Sequence, residues 1–349
     1  MKVGEFGTLS PRVSVVILNF NGWKNTIECL DSLFRIDYNN WDLILVDNGS
    51  SDESIGEISE FLKSRLHHGS VDAGCSSAHS QFSVMNKGKE SNLAQNEWEV
   101  DVEFQVIGPR TVLIRCSRNV GFAGANNIGI GYAQRNFDPE FLLLLNNDVV
   151  VSQEFLEELV RRSRSEVRHG MSGPSILDYW NPKNKDPVHT GEVSLWTGNF
   201  GLVSKNRFPS TYNKSMRVGW LSGCCLLLSI GAIRDVGLLD PIYFLYAEDT
   251  DWCIRMSRRG YSLLYIPSSV ILHKGRASSD GISSQFYYAR SIFLLMRKNA
   301  TRLQRSFFYV FFFVFRLWYH LGIILLFHSS IPSAKSFCKG VLEGITLKL

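Results

Sequence analysis

The chain has 349 residues, 45% of them hydrophobic, with a formal net charge of +4 at pH 7. That is enough apolar material for a full core, and it excludes a disordered or fibrous protein. Seven cysteines (Cys29, Cys75, Cys116, Cys224, Cys225, Cys253 and Cys338) contain no C-x-x-C pair, which argues against a disulfide framework or zinc knuckle and for a reducing compartment.

No apolar h-region precedes the first strand-like run, so the catalytic part is expected to stay in the cytoplasm. Val13–Asn19 predicts a first parallel strand, Asn19-Phe20-Asn21-Gly22 its exit turn, and residues 24–34 a helix. Residues 41–46 predict a second strand that ends in Asp47, a position suited to an acid bonding a base or ribose. A surface insertion is expected over 64–100, rich in Ser, Gly, His and Asn; the spacing of His67, His68, Cys75 and His79 matches no familiar zinc pattern. The sheet resumes near 102–106 and Thr111–Cys116. Small residues at 117–131 then allow close backbone approach at a helix entry, which suits a phosphate or plain helix-to-sheet packing. No Gly-rich, Lys-bearing loop follows the first strand, which argues against a nucleotidyltransferase.

The central stretch is FLLLLNNDVVV (141–151), an apolar run broken by Asn146, Asn147 and Asp148 and followed by helical apolar spacing. It reads as a strand buried on both faces of a parallel α/β sheet, with Asp148 at the carboxyl end where ligands sit. A carboxylate flanked by amide oxygens offers hard ligands to Mg2+ or Mn2+; turn chemistry is the competing explanation. Further strands are expected at 171–177, 224–229, 261–267 and 270–273, with a hairpin or loop at 189–203. Between them Glu248, Asp249 and Asp251 open a helix, favoured there by the macrodipole. The apolar run before them implies burial, which raises a carboxylate pKa towards that of a general base.

Together these pieces resemble the inverting glycosyltransferases of family 2, GT-A fold, in their rhamnosyltransferase-like branch. The matching segments are VSVVILNFNG (13–22), VDNGSSD (46–52), NVGFAGANNIG (119–129), LLLLNNDV (142–149), WLSGCCLLL (220–228) and LLDPIYFLYAEDTDWCIR (238–255). The resemblance implies a GT-A domain over residues 1–300, a Rossmann-like, mostly parallel sheet flanked by helices, with a nucleotide-diphosphate sugar as donor. It implies donor contacts at Asn19, Asp47, Asn119, Gly121, Phe122, Ala123, Asn126, Asn127, Asn146 and Asp148, and a metal held by Asp148 with His273. Asp249, beside Glu248, becomes the catalytic base, while Asp251, Trp252 and Arg255 either bind the acceptor or brace the helix. Two positions depart from the family pattern. Asn146-Asn147-Asp148 keeps one acid of the usual D-x-D, and Ala125 stands where relatives often have Gly. The expected donor is dTDP-rhamnose, and the expected process is cell-surface polysaccharide synthesis. The alternatives are a UDP-sugar (glucose, galactose or N-acetylglucosamine) or an idle sugar-nucleotide-binding scaffold.

The C-terminal tail, 301–349, is expected to be helical. From 297 to the end there are eight Lys or Arg (Arg297, Lys298, Arg302, Arg305, Arg316, Lys335, Lys339, Lys348) against Glu343 alone. Basic residues around an aromatic run point to a membrane surface rather than nucleic acid. Residues 307–327 are long enough to span a bilayer, but Arg316 and His320 sit near the middle. A bent helix lying in the cytoplasmic leaflet is therefore expected, peripheral on the inner face of the cell membrane, with burial in a dimer as the alternative. Such a tail suits a glycan acceptor linked to polyprenyl diphosphate. It also predicts that a chain ending near Asn299 stays soluble.

Overall fold

The computed structural model describes residues 10–67, 77–82, 100–182, 189–202, 214–275, 281–327 and 330–349. The first half gives β1 (Val13–Asn19), α1 (Trp23–Leu33), β2 (Trp41–Asp47), α2 (Ser54–His67), β3 (Ser77–Phe82), β4 (Val100–Gly108), β5 (Thr111–Cys116), α3 (Gly121–Asn136), β6 (Phe141–Asn146), β7 (Val149–Val151), α4 (Phe155–Arg164) and β8 (His169–Asp178). The second half gives β9 (Thr190–Ser194), β10 (Asn199–Leu202), β11 (Met216–Arg217), β12 (Trp220–Leu221), β13 (Cys225–Ser229), α5 (Ile230–Val236), a short 3-10 turn (Pro241–Tyr243), α6 (Glu248–Arg258) and β14 (Ser262–His273). It closes with α7 (Gly281–Asn299), α8 (Arg302–Phe311), a π-helical turn (Phe312–Arg316), α9 (Leu317–Phe327) and α10 (Ile331–Thr346).

Among the described residues the main sheet runs β11-β14-β8-β13-β6-β1-β2-β5-β4-β3, and β7 pairs with β14. The apolar runs of β1, β2 and β6 are buried because helices cover both faces. Cys29, Leu30 and Leu33 of α1 and Phe155, Leu156 and Leu159 of α4 fill one side. Ala123 and Ile128 of α3, Ile233 of α5 and Trp252 of α6 fill the other. Parallel register sets Asn19 beside Asp47 and Leu18 beside Asn146, so the carboxyl ends of the three central strands lie abreast. At the opposite edge the fully buried Asp42 is closed off by Arg12 and Arg110, a buried charge satisfied by paired cations.

Several expectations change in detail. The 141–151 run is two strands, because Asn147 and Asp148 turn the chain and β7 leaves β6 to pair antiparallel with β14. The two runs expected at 261–273 form one strand, β14, with an irregularity between Ile266 and Val270. β13 lies antiparallel to β6, and β4 to β5, so the sheet is mixed. Of the expected insertion, residues 68–76 and 83–99, including His68 and Cys75, lie outside the described residues, while β3 carries His79 at the sheet edge.

The tail does not stand apart. Phe308 and Phe312 pack their rings on Phe293 of α7, with centroids 5.2 and 4.7 Å away. α10 runs alongside α7 at a spacing that only glycine permits. A Cβ on Gly340 would sit 2.2 Å from the Phe286 carbonyl oxygen, and one on Gly344 2.7 Å from that of Arg290. A chain ending near Asn299 would therefore uncover the fully buried Phe293 and Met296. Arg316 also differs from expectation. It turns inward, buried, and donates to the Thr197 carbonyl and the Tyr288 hydroxyl, each at 2.9 Å.

Candidate active site

The donor side is built from the strand ends. Asp47, fully buried, accepts from Asn19 Nδ2 (2.7 Å), Ser50 N (2.9 Å) and Ser50 Oγ (2.6 Å). Asn19 in turn accepts from Thr26 Oγ1, which also receives Asn147 Nδ2. Asp47 is thus spent on ordering the loop after β2. Asn48, which the sequence reading passed over, shapes the next loop: its Oδ1 accepts from Val120 N (2.9 Å), and its Nδ2 donates to Asn119 Oδ1 (3.0 Å) and the Gly121 carbonyl (3.2 Å). Asn119 Oδ1 also takes the N–H of Gly121. Gly121 has φ +76°, and a Cβ there would lie 2.4 Å from the Phe244 carbonyl oxygen, so the family motif needs glycine. The following α3 has no cap from the side chain of Val120; its first N–H groups, those of Gly121 and Phe122, are taken by Asn119 Oδ1 and the Phe244 carbonyl.

Three expected donor contacts move inside. Ala123, Asn126 and Asn127 are buried on α3; Asn126 Nδ2 bonds the Phe122 carbonyl, and Asn127 brackets Leu239 with both ends of its amide. The acceptor group is corrected more fully. Asp251 is buried and held by Tyr243 Oη (3.1 Å), Asn299 Nδ2 (2.8 Å) and Arg255 Nε (2.7 Å). Arg255 also donates from Nη1 and Nη2 to the Val236 and Leu238 carbonyls. Trp252 is fully buried with Nε1 on the Gly237 carbonyl. These three side chains brace α6 from the inside.

Glu248 and Asp249 share the first turn of α6, both buried. Asp249 Oδ2 accepts the Gly223 N–H at 2.8 Å, and its Oδ1 accepts from Thr250. Burial raises both carboxyl pKa values; for Glu248 the neighbouring Asp249 adds to the rise, while the Gly223 N–H and Thr250 restrain it for Asp249. Glu248 Oε2 has no partner. Asp249 is thus the one of the two carboxylates with donors fixed on it, the Gly223 N–H and Thr250.

Asp148 lies in the β6–β7 turn, buried, with Oδ1 unpaired by any aligned hydrogen bond and 3.2 Å from His273 Nε2. Two ligands at right angles on one octahedral Mg2+ or Mn2+ stand about 3.0 Å apart, so the pair fits two positions of such an ion. Among the described residues no third His, Cys, Asp or Glu completes a cluster, so an ion held there would need its other ligands from a bound molecule or water. Asn146 ends β6 beside Asp148, its N–H bonded to the Cys224 carbonyl. His189, not foreseen, sets its ring edge against His273 at 5.3 Å, and burial pushes its pKa down to about 4. The His189 carbonyl accepts the Ser222 N–H, and the next residue, Gly223, holds Asp249. Ser222 and Gly223 thus link His189, which packs against His273, to Asp249.

The glycosyl transferase family 2 model matches residues 14–78, and that of glycosyl transferase family group 2 matches 141–341, more than half the chain. The chain is a family 2 glycosyltransferase. The transferase is 28% identical over 191 residues to the N-acetylglucosaminyl-diphospho-decaprenol L-rhamnosyltransferase of Mycobacterium tuberculosis, a match covering 50% of this chain and 61% of that one. It is 27% identical to the dTDP-rhamnosyl transferase RfbF of Shigella flexneri over 246 residues, 67% of this chain and 78% of the relative. Both of these relatives are rhamnosyltransferases. In fold it is similar to the Pyrobaculum calidifontis mannosyltransferase solved with GDP-Man and Mn2+, at a TM-score of 0.55 and 13% identity over 97% of this chain and 82% of that one. The transferase therefore has the GT-A fold.

Proposed function

We propose that the transferase moves rhamnose from dTDP-rhamnose, with inversion, onto a polyprenyl-diphosphate-linked glycan during cell-surface polysaccharide synthesis. The observation that carries the chemistry is the Asp249 carboxylate, fixed by the Gly223 N–H at 2.8 Å and buried where its basicity is raised. Asp249 takes the proton of the acceptor hydroxyl as that oxygen bonds to the anomeric carbon, and the bond from that carbon to the diphosphate oxygen breaks. Glu248, one residue away on the same turn, lies beside the base rather than across the sugar from it, so a single displacement follows. Asp148 and His273 would hold Mg2+ or Mn2+, which when bound neutralises charge on the departing diphosphate. Asn48 and Asn119 shape the loop that receives it.

The donor rests on the rhamnosyltransferase relatives. Calorimetry with thymidine and uridine diphosphate sugars, with and without Mn2+, tests it. The expected result is tightest binding of dTDP-rhamnose, strengthened by Mn2+; preference for a uridine sugar overturns the donor assignment.

The helical tail, 301–349, serves in this reading to hold the enzyme on the inner membrane surface. Arg302–Leu326 is one helix long and apolar enough to cross a membrane. With Phe308, Phe312 and Arg316 turned inward, Phe307, Val310, Val314 and Trp318 form an exposed stripe. Trp196, between β9 and β10, extends that stripe by packing edge-on against Phe307 at 5.7 Å. Arg302, Lys335 and Lys339 are exposed to meet anionic headgroups. Val314→Asp is expected to weaken sedimentation with anionic vesicles roughly tenfold, since it places a carboxylate in the apolar stripe. Unchanged sedimentation removes this face from membrane binding.

A further inference from the structure

We propose that Arg290 and Glu343 are a positioning pair through which the C-terminal helix α10 holds the loop that aims the catalytic base. The inference rests on the assignment of Asp249 as that base and goes beyond it. The loop between the 3-10 turn and α6 is conformationally costly: Phe244, Tyr246 and Ala247, none of them glycine, have φ of +60°, +68° and +67°. Phe244 is the centre of a γ-turn of the rare hand, closed by Leu245 N–H on the Tyr243 carbonyl at 2.6 Å. Ala247 leads directly into Glu248 and Asp249. Left-handed backbone at bulky residues persists only where the surroundings over-determine it, and here the surroundings are α7 and α10.

Arg290, in the middle of α7 and buried, donates from Nη1 to the Ile242 carbonyl at 2.8 Å and the Tyr243 carbonyl at 3.3 Å. Its neighbour Ser291 donates to the Tyr243 and Leu245 carbonyls, at 3.3 and 2.9 Å. The Phe244 ring stacks on Tyr287, with centroids 4.7 Å apart. Residues 242–246 are therefore held from α7, Tyr246 by its ring edge-on to Tyr288 at 6.4 Å. What aims the guanidinium is Glu343 of α10, whose Oε1 accepts from Arg290 Nε at 2.8 Å. The close approach at Gly340 and Gly344 sets α10 at the distance where this carboxylate reaches. Glu343 is also the one acid of the tail, placed opposite a buried arginine rather than among the surface cations.

On its other side the same loop meets the start of α3, in the proposed donor loop. The Phe244 carbonyl accepts the Phe122 N–H at 2.7 Å and fills the space a Cβ on Gly121 would need. A shift at residues 242–247 would thus move the donor loop and Asp249 together. Reactions of this kind lose rate steeply when reacting groups drift by about 1 Å. The tail, which bears the exposed apolar stripe, and the base are in this way parts of one packed unit.

The test uses the full chain with Glu343→Gln and the conservative Glu343→Asp. Amide hydrogen exchange at residues 243–251 reports the loop without any substrate. Hydrolysis of dTDP-rhamnose by water, followed as thymidine diphosphate release per folded molecule, reports the base without an acceptor. Glu343→Gln is expected to speed exchange in the loop and to lower turnover about tenfold with donor affinity within twofold; Glu343→Asp should recover much of both. A Glu343→Gln enzyme with lower melting temperature but unchanged loop exchange and unchanged turnover per folded molecule overturns the inference, because the pair is then a fastening only. If wild-type protein binds and hydrolyses no rhamnose donor, the proposed function fails, while the exchange arm still decides whether Glu343 holds the loop.

Discussion

Replacing Asp249 by asparagine is expected to lower sugar transfer by about 10²- to 10⁴-fold, the usual contribution of a positioned general base, with donor affinity changed less than twofold. The change is close to isosteric. The single amide oxygen can still accept the Gly223 N–H, and the NH2 then takes the place of the oxygen at Thr250, whose hydroxyl can turn to accept from it. What disappears is the group that takes the acceptor proton. Burial has raised the basicity of Asp249, which the Gly223 N–H and Thr250 hold in place, whereas Glu248 Oε2 has no such partner to position it. Single-turnover transfer combined with calorimetry separates the two effects. A variant that transfers normally removes Asp249 from the base role.

Asp148→Ala should have an effect of similar size for a different reason. Asp148 is the single acid of the Asn146-Asn147-Asp148 turn, and its free Oδ1 faces His273. Removing it leaves one imidazole to hold a divalent ion. Mn2+ should then no longer strengthen binding of the nucleoside diphosphate, and transfer should fall roughly 10³-fold, in line with several kcal/mol of metal-supplied charge stabilisation. Calorimetry of thymidine diphosphate with Mn2+ gives a readout independent of turnover. If wild-type protein binds the diphosphate equally with and without the ion, the Asp148–His273 pair is a structural contact and the metal assignment falls.

Much of the donor-side framework is legible in the sequence because its physics is local. A fully apolar run such as residues 141–145 has to be covered on both faces, and the turn residues after it mark the carboxyl edge. The burial of Glu248 and Asp249 follows from the apolar stretch before them. Helix geometry even contains the correction for Asp251: two residues beyond Asp249 it points about 200° around the helix, into the core, with Arg255 one turn on along the same inner side. Trp252 follows the same logic, as the residue that seals α6 against the sheet.

What was not legible depends on contacts between distant segments. His189 meets His273 across the fold, and nothing in the spacing of either announces it. Glu343 looks like a lone acid in a basic tail until α10 is laid against α7. Arg316 looks like an obstacle to any apolar surface, because composition does not say which side of a helix turns inward. Asn48 was in view within a family motif, but its two-ended grip on Asn119 and Val120 needs the loop after β5 brought beside β2.

The most direct test of the central claim is the anomeric configuration, by NMR, of the product formed from dTDP-rhamnose and a polyprenyl-diphosphate-linked N-acetylglucosamine acceptor. Single displacement assisted by Asp249 predicts a rhamnoside of the anomer opposite to that of the donor, formed by the wild type and lost in Asp249→Asn. A product that keeps the donor's configuration would contradict the account, since it requires a second nucleophile that this carboxylate arrangement does not provide.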